Sequence, residues 1–190
     1  MQKVGLFFGS FNPIHVGHLI IANYMVEFTD IQQVWFVVSP HNPLKKKKNL
    51  LEDYHRYALV NEAIYDDNRF KACDIEMKMP QPSYTIDTLT YLREKYPSIE
   101  FAIIMGADGL PTFNKWKNYK EIIDSTVRYV YPRHDTEIKQ DEHENCIFVN
   151  APNIEISSTF IRESIKKGYD VRYFLHPRVY KYMKEMHFYE

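Results

Sequence analysis

Only two cysteines occur in the 190 residues, Cys73 and Cys146, and no CxxC spacing accompanies them. So low a count excludes a disulfide framework, and two buried free thiols in a reducing compartment, the cytoplasm, are expected instead. Glycine is sparse as well, with six residues in all. Neither G-x-x-x-x-G-K-[ST] nor G-x-G-x-x-G is present, which argues against a P-loop and against a dehydrogenase-type dinucleotide fold. No apolar run approaches the length of a membrane span or a signal peptide, and Met1-Gln2-Lys3 leads straight into a strand-like segment. Excess charge of either sign is lacking too: 24 basic against 25 acidic residues leave a formal charge of −1. Nucleic-acid binders usually carry a basic face and a pI above about 9, so neither nucleic acid nor membrane is an expected partner, whereas small charged ligands are.

What the chain does have is apolar bulk, 45% hydrophobic and 15% aromatic. At this length about 70% of the unfolded surface can be buried, and one domain over residues 1–190 is the default. Strand-like and helix-like stretches alternate. Residues 4–8 and 34–38 are short continuous apolar runs, the second stopped by Ser39-Pro40, and both read as interior strands. Between them Leu19, Ala22, Asn23 and Val26 recur at helical spacing, with Ile20 and Tyr24 widening the apolar face. Helices are predicted over 52–65 and 86–96, a short strand over 70–73, a strong buried strand over 101–105 ending at Gly106, and another over 127–131 stopped by Pro132. Five strands with interleaved helices predict an α/β fold, a Rossmann-like doubly wound parallel sheet with a C-terminal helical region, binding ligands beyond the carboxyl ends of its strands. Irregular structure is expected over 40–50, 78–83 and 134–145.

At the end of the first predicted strand stands Gly9-Ser10-Phe11-Asn12-Pro13-Ile14-His15-Val16-Gly17-His18. A strand running through a glycine-containing turn into a helix presents free backbone N–H groups and the positive end of the helix dipole, which favour phosphate. His15 and His18 add hydrogen bonds or charge at the same spot. A second helix start, Ile156-Ser157-Ser158-Thr159-Phe160-Ile161-Arg162, combines hydroxyl N-caps with an arginine about one turn inside. Ser157 reads as the cap, Ser158 as the better phosphate donor, and Arg162 can fork onto a second oxygen. Two such anchors suit the two ends of a polyphosphate.

These two segments resemble the paired signatures of the HxGH nucleotidyltransferases, G-x-F-x-P-x-H-x-G-H and I-S-S-T-x-x-R. Pro82-Ser83-Tyr84-Thr85-Ile86-Asp87-Thr88, Ile104-Met105-Gly106-Ala107-Asp108 and Trp116 are similar to the bacterial nicotinate-nucleotide adenylyltransferases within that superfamily. The similarity runs from Lys3 to Glu190. One departure is plain: where that family usually carries Pro-Pro-His-Lys or Pro-Pro-His-Arg, this chain has Asn42-Pro43-Leu44-Lys45, and only His41 stands nearby as a substitute.

The resemblance implies adenylyl transfer from ATP to nicotinate mononucleotide, giving deamido-NAD and pyrophosphate in NAD biosynthesis. It implies His15, His18 and Arg162 as catalytic residues. Gly9, Ser10 and Phe11 are expected to make backbone contacts to ATP, and Ser157, Ser158 and Arg162 to reach the departing phosphates. Asp108, just after Gly106, is placed to accept from ribose hydroxyls. For the mononucleotide, Trp116 offers a stacking surface, the N–H groups around Tyr84 and Thr85 a place for the carboxylate, and Lys45 and Arg133 rim contacts to phosphate. Mg²⁺ is expected to arrive on the ATP phosphates, without a dedicated protein site. His15 and His18 lack a third ligand for zinc, and His143 with Cys146 is only a lone pair in a polar loop. The lysines at 45–48 also fit a solvated loop. Two other functions fit part of the pattern. A sister enzyme, such as phosphopantetheine adenylyltransferase or a glycerol-phosphate cytidylyltransferase, needs neither Trp116 nor the Thr85 segment. A silent nucleotide-binding protein has no need to retain both histidines together with Ser158 and Arg162.

Overall fold

In a computed structural model, which describes residues 1–40, 50–133 and 144–190, six strands form one parallel sheet. They are β1 (Gln2–Gly9), β2 (Gln33–Val38), β3 (Phe70–Cys73), β4 (Ile99–Gly106), β5 (Arg128–Tyr131) and β6 (Cys146–Phe148), in the order β3-β2-β1-β4-β5-β6. The chain therefore winds outward from β1 in one direction, returns to the middle, and winds outward in the other. The point of reversal lies between β1 and β4, whose carboxyl ends are Gly9 and Gly106. A crevice at such a reversal is where this architecture receives ligands.

Strand alternation sorts the side chains into two layers. Phe7, Val34, Phe36, Val38, Ala102, Ile104, Tyr129 and Tyr131 face one layer, where they meet Ile21, Ala22 and Met25 of α1 (Val16–Phe28). The same layer takes Leu59, Val60 and Ala63 of α2 (Asp53–Ala63), Ile161 of α5 (Ser158–Lys166) and Val179 and Met183 of α6 (Pro177–Glu185). Val4, Leu6, Trp35, Val37, Phe101, Ile103, Met105 and Val130 face the other layer, against α3 (Thr85–Lys95) and α4 (Tyr119–Ser125). Strands covered on both sides need apolar residues at every position, which is why β2 and β4 are continuous apolar runs rather than alternating ones. Each large side chain fully buried in this way contributes about 1.5–3 kcal/mol.

The structure adds β6, α4 and a 3₁₀ segment, Ala107–Lys115, to the predicted elements. Of the expected α1 stripe, Ala22 is buried and Leu19, Tyr24 and Val26 pack half-buried against the core, while two members face solvent. Gly17, Ile21, Ala22 and Met25 are buried, whereas Asn23 and Ile20 are exposed. Among the described residues no helix is long and apolar enough to cross a membrane. Cys73 and Cys146 are free thiols, the first buried and the second half-buried.

Candidate active site

The turn after β1 is held in a conformation that its sequence alone would not choose. Phe11 has a left-handed backbone, φ 44°, which costs a bulky residue about 1–3 kcal/mol and persists only where the surroundings fix it. Its ring supplies part of that fixation. It is 2% exposed and packs edge-on against Phe7, Phe36 and His18, with ring centroids 6.1, 5.5 and 5.1 Å away. Gly9 makes room for it, because a Cβ there would stand 2.8 Å from the Phe11 ring.

Hydrogen bonds fix the rest. The Ser39 N–H donates to Gly9 O (2.9 Å), Arg56 Nη1 to Ser10 O (2.6 Å), Arg162 Nη1 to Asn12 O (2.8 Å) and Ser158 Oγ to Pro13 O (2.9 Å). Asn12 Oδ1 accepts from the Leu51 N–H (3.2 Å) and from the Tyr189 hydroxyl (2.7 Å). The N–H groups of Ser10 and Phe11 have no hydrogen-bond partner among the described residues. A turn with the Gly9, Ser10, Asn12 and Pro13 carbonyls taken and the Ser10 and Phe11 N–H groups open offers donors to a ligand, and therefore suits an anion.

His15 is the N-cap of α1, and its backbone N–H donates to His18 Nδ1 at 3.2 Å. His18 therefore carries its proton on Nε2 when neutral. The two rings stack with centroids 3.8 Å apart and planes 30° apart. His15 is 5% exposed, and its Nδ1 has no hydrogen-bond partner among the described residues. Burial above all, and the Arg133 charge second, push its pKa down to about 4, so the ring is uncharged near neutral pH.

The stacked pair forms one wall of a narrow cleft that Phe7, Tyr131, Arg133 and Ile156 complete. With a volume of about 10 Å³ the cleft has room for roughly one water, so a nucleotide base must widen it or sit outside. Arg133 crosses its mouth, donating to the Tyr131 hydroxyl (3.3 Å), with Nε 3.8 Å from Asp108 Oδ1. Gly106 leaves space for this pair, since a Cβ there would meet Asp108 Oδ1 at 2.3 Å and Arg133 at 3.2 Å. Asp108 is thus brought to the cleft mouth by way of Arg133.

On the other side of the sheet's end, Tyr84 is the N-cap of α3 and Thr85 its first residue. Trp116 follows the 3₁₀ segment and packs against Phe113 at 5.0 Å. Lys117 joins the two segments: its Nζ lies 4.8 Å from the Tyr84 ring and bonds both Asp87 oxygens at 2.9 and 3.0 Å. Ser83 Oγ is buried beside this helix start with no partner among the described residues. Lys45, with the rest of 41–49, and His143 lie outside the described residues.

The second signature does more than its sequence suggests. Ser157 caps α5, accepting from the Phe160 N–H at 3.1 Å. Ser158 and Arg162 reach across to the first turn, which joins the two signatures into one unit. Sequence reasoning overlooked Arg56, Asn12 and Tyr189. Arg56 left a faint trace, standing with Leu59, Val60 and Ala63 at helical spacing on the buried face of α2. Among the described residues no group of three His, Cys, Asp or Glu side chains is placed to hold a metal ion.

The sequence pattern of the cytidylyltransferase-like family matches residues 6–164. A probable nicotinate-nucleotide adenylyltransferase of Flavobacterium psychrophilum is 52% identical over a 192-residue alignment that covers 100% of both chains. A counterpart of the same name in Bacteroides fragilis is 46% identical over 180 residues, 94% of this chain and 90% of the other. Among solved structures, the nicotinic acid mononucleotide adenylyltransferase of Plasmodium falciparum, complexed with NaAD, matches with a TM-score of 0.83 over 100% of this chain and 98% of that one. At 19% identity that likeness speaks for the fold.

Proposed function

The chain belongs to the cytidylyltransferase-like family and, within it, to the nicotinate-nucleotide adenylyltransferases, and from that premise we propose how its residues transfer the adenylyl group of ATP to nicotinate mononucleotide. A 5′-phosphate oxygen of the mononucleotide attacks the α-phosphorus of ATP. The bond from that phosphorus to the bridging oxygen breaks, and pyrophosphate departs with the electron pair, leaving deamido-NAD. The nucleophile is already an anion, so no strong base is required. In-line positioning, which can supply about 7–11 kcal/mol, and donors aimed at developing charge, about 3–4 kcal/mol each, carry the catalysis.

In this assignment the Gly9-Ser10-Phe11 backbone, the neutral imidazole of His15 and the ring of His18 receive the phosphates of ATP. The start of α5 stands beside them for the departing pyrophosphate, with Ser157 capping the helix and Ser158 and Arg162 supplying donors. Two Arg162 nitrogens already serve Asn12 O and Thr159 Oγ1, which leaves the other N–H groups of its fork for phosphate. Gly106 and Asp108 serve the ribose. Trp116 stacks on the pyridine ring, the helix start at Tyr84 and Thr85 receives its carboxylate, and Lys45 is assigned to the rim. The groups at the turn are N–H, imidazole, hydroxyl and guanidinium, a set that suits anions, whereas Mg²⁺ takes oxygen ligands and leans on phosphate oxygens. Mg²⁺ accordingly enters with ATP. The buried free thiol of Cys73 suits a reducing compartment, and we assign the enzyme to the cytoplasm.

The observation that carries this assignment is the convergence of two segments some 145 residues apart, through Ser158 on Pro13 O and Arg162 on Asn12 O. The test is pyrophosphate release from ATP and Mg²⁺ with nicotinate mononucleotide, its amide counterpart or phosphopantetheine as acceptor. Release with the mononucleotide is expected. Release with phosphopantetheine alone would overturn the substrate, and none with any acceptor would favour a silent nucleotide-binding protein.

A further inference from the structure

Arg56 is a fully buried cation in which every N–H group has an acceptor. Nε donates to Leu51 O (3.0 Å), Nη1 to Ser10 O (2.6 Å) and Ser39 O (2.8 Å), and Nη2 to Pro40 O (3.2 Å) and Asp53 Oδ1 (2.5 Å). Four of these acceptors are backbone carbonyls from three separate places: the turn after β1, the exit of β2 and the approach to α2. Burying a guanidinium carries a large desolvation penalty, offset here by acceptors that would otherwise lack a donor. The other buried positions on this helix face, Leu59, Val60 and Ala63, are apolar. A grip on three separate segments from one buried position calls for a geometric account.

Peptide planarity supplies one. Ser10 C=O and Phe11 N–H belong to a single rigid unit and point in opposite directions, so a donor that holds the carbonyl aims the N–H. Gly9 C=O and Ser10 N–H form the preceding unit, which the Ser39 N–H holds, and Arg56 in turn holds Ser39 O. Arg56 thus orients the Phe11 N–H directly, and it anchors the residue, Ser39, whose own N–H holds the Gly9–Ser10 unit. We propose that Arg56 is a positioning residue for nucleotide binding: by gripping Ser10 O it aims the Phe11 N–H at a phosphate oxygen of ATP, and by gripping Ser39 O it steadies the residue that holds the Gly9–Ser10 unit beside it. This rests on the nucleotidyltransferase assignment above, and it explains how a non-glycine residue keeps φ 44° at Phe11.

The experiment compares wild type, Arg56→Lys and Asp53→Asn for thermal midpoint, for KM of each substrate and for Kd of a non-hydrolysable ATP analogue. Lysine keeps the charge but cannot make the fork. Arg56→Lys is expected to weaken the analogue at least tenfold and raise KM for ATP, with KM for nicotinate mononucleotide within about threefold of wild type. Asp53 is the partly exposed fifth acceptor, so Asp53→Asn loosens the fork without emptying a buried site, and should weaken the analogue two- to fivefold even if Arg56→Lys does not fold. Arg56→Ala should recover analogue binding in millimolar methylguanidinium. A merely structural role would lower kcat through fewer folded molecules. Unchanged analogue affinity in folded Arg56→Lys, or in Asp53→Asn should Arg56→Lys not fold, would overturn the proposal. Wild type that binds the analogue but releases no pyrophosphate would defeat the assigned reaction and leave this comparison standing.

Discussion

Replacing His15 by asparagine should remove one proton-linked step from the stability of the protein. The folded imidazole titrates near 4 and a free one near 6.5, because burial, helped by Arg133, disfavours the charged ring. The unfolded chain therefore takes up this proton more readily than the folded one, and stability rises with pH between the two values. The contribution is fully present above about pH 6.5, falls away as pH drops toward 4, and is level below that. At 1.36 kcal/mol per pKa unit the gap corresponds to about 3 kcal/mol. Asparagine is a favoured N-cap, so α1 keeps its start. Urea unfolding of wild type and His15→Asn at intervals from pH 4 to 7.5 gives the difference curve. Asp30, Asp67 and Asp170, held below their usual range mainly by partners such as Lys3, Arg69 and Arg172, also lose stability in acid, but equally in both proteins. The difference should grow by about 3 kcal/mol in favour of wild type between pH 4 and 7. A level difference over that interval would refute the argument that burial holds His15 neutral.

Three substitutions test the rest of the site. Gly9→Ala puts a methyl group 2.8 Å from the buried Phe11 ring, and such overpacking should lower stability by about 1–3 kcal/mol, read as a lower urea midpoint, with turnover falling as the turn shifts. His18→Ala removes a donor from the phosphates and should lower kcat about 10²–10³-fold. Losing its bond from the His15 N–H should lower stability by only about 1 kcal/mol, so near-wild-type turnover would contradict its assignment. Trp116→Ala should raise KM for nicotinate mononucleotide about tenfold, the worth of one aromatic stack, and leave KM for ATP within twofold. Equal effects on both substrates would place the ring elsewhere.

Legibility in the sequence followed the range of the interactions. β2 and β4 were readable because burial on both faces demands unbroken apolar runs, whereas β6 is three residues, Cys-Ile-Phe, at the edge of a polar stretch and offers no period to detect. The apolar face of α1 was legible through Leu19, Ala22, Tyr24 and Val26, while Ile20 and Asn23 lie at its exposed margin, which spacing alone does not resolve. The turn after β1 was legible as a candidate anion site because its donors are local. Its supports were not: Arg56 reaches back 46 residues to Ser10, and Tyr189 reaches 177 residues to Asn12. A lone arginine in a helix ordinarily reads as surface, and only its place on the buried stripe distinguishes it.

That division has a consequence for Ser158 and Arg162. In a two-ended clamp, each signature would hold its own phosphates, and losses on substitution would add. In this structure both side chains are bonded to the carbonyls of Asn12 and Pro13, next to the strained Phe11. Arg56 grips the same turn one residue earlier, and Tyr189 grips the Asn12 side chain. In the proposed assignment the turn donates to ligand through its own backbone; in the structure four distant residues occupy acceptors of that turn. Substituting any one of the four frees an acceptor that then repels phosphate or rotates a peptide plane. On the proposed assignment, the second signature is therefore expected to act on the reaction partly through the first, and substitutions in the two should be non-additive.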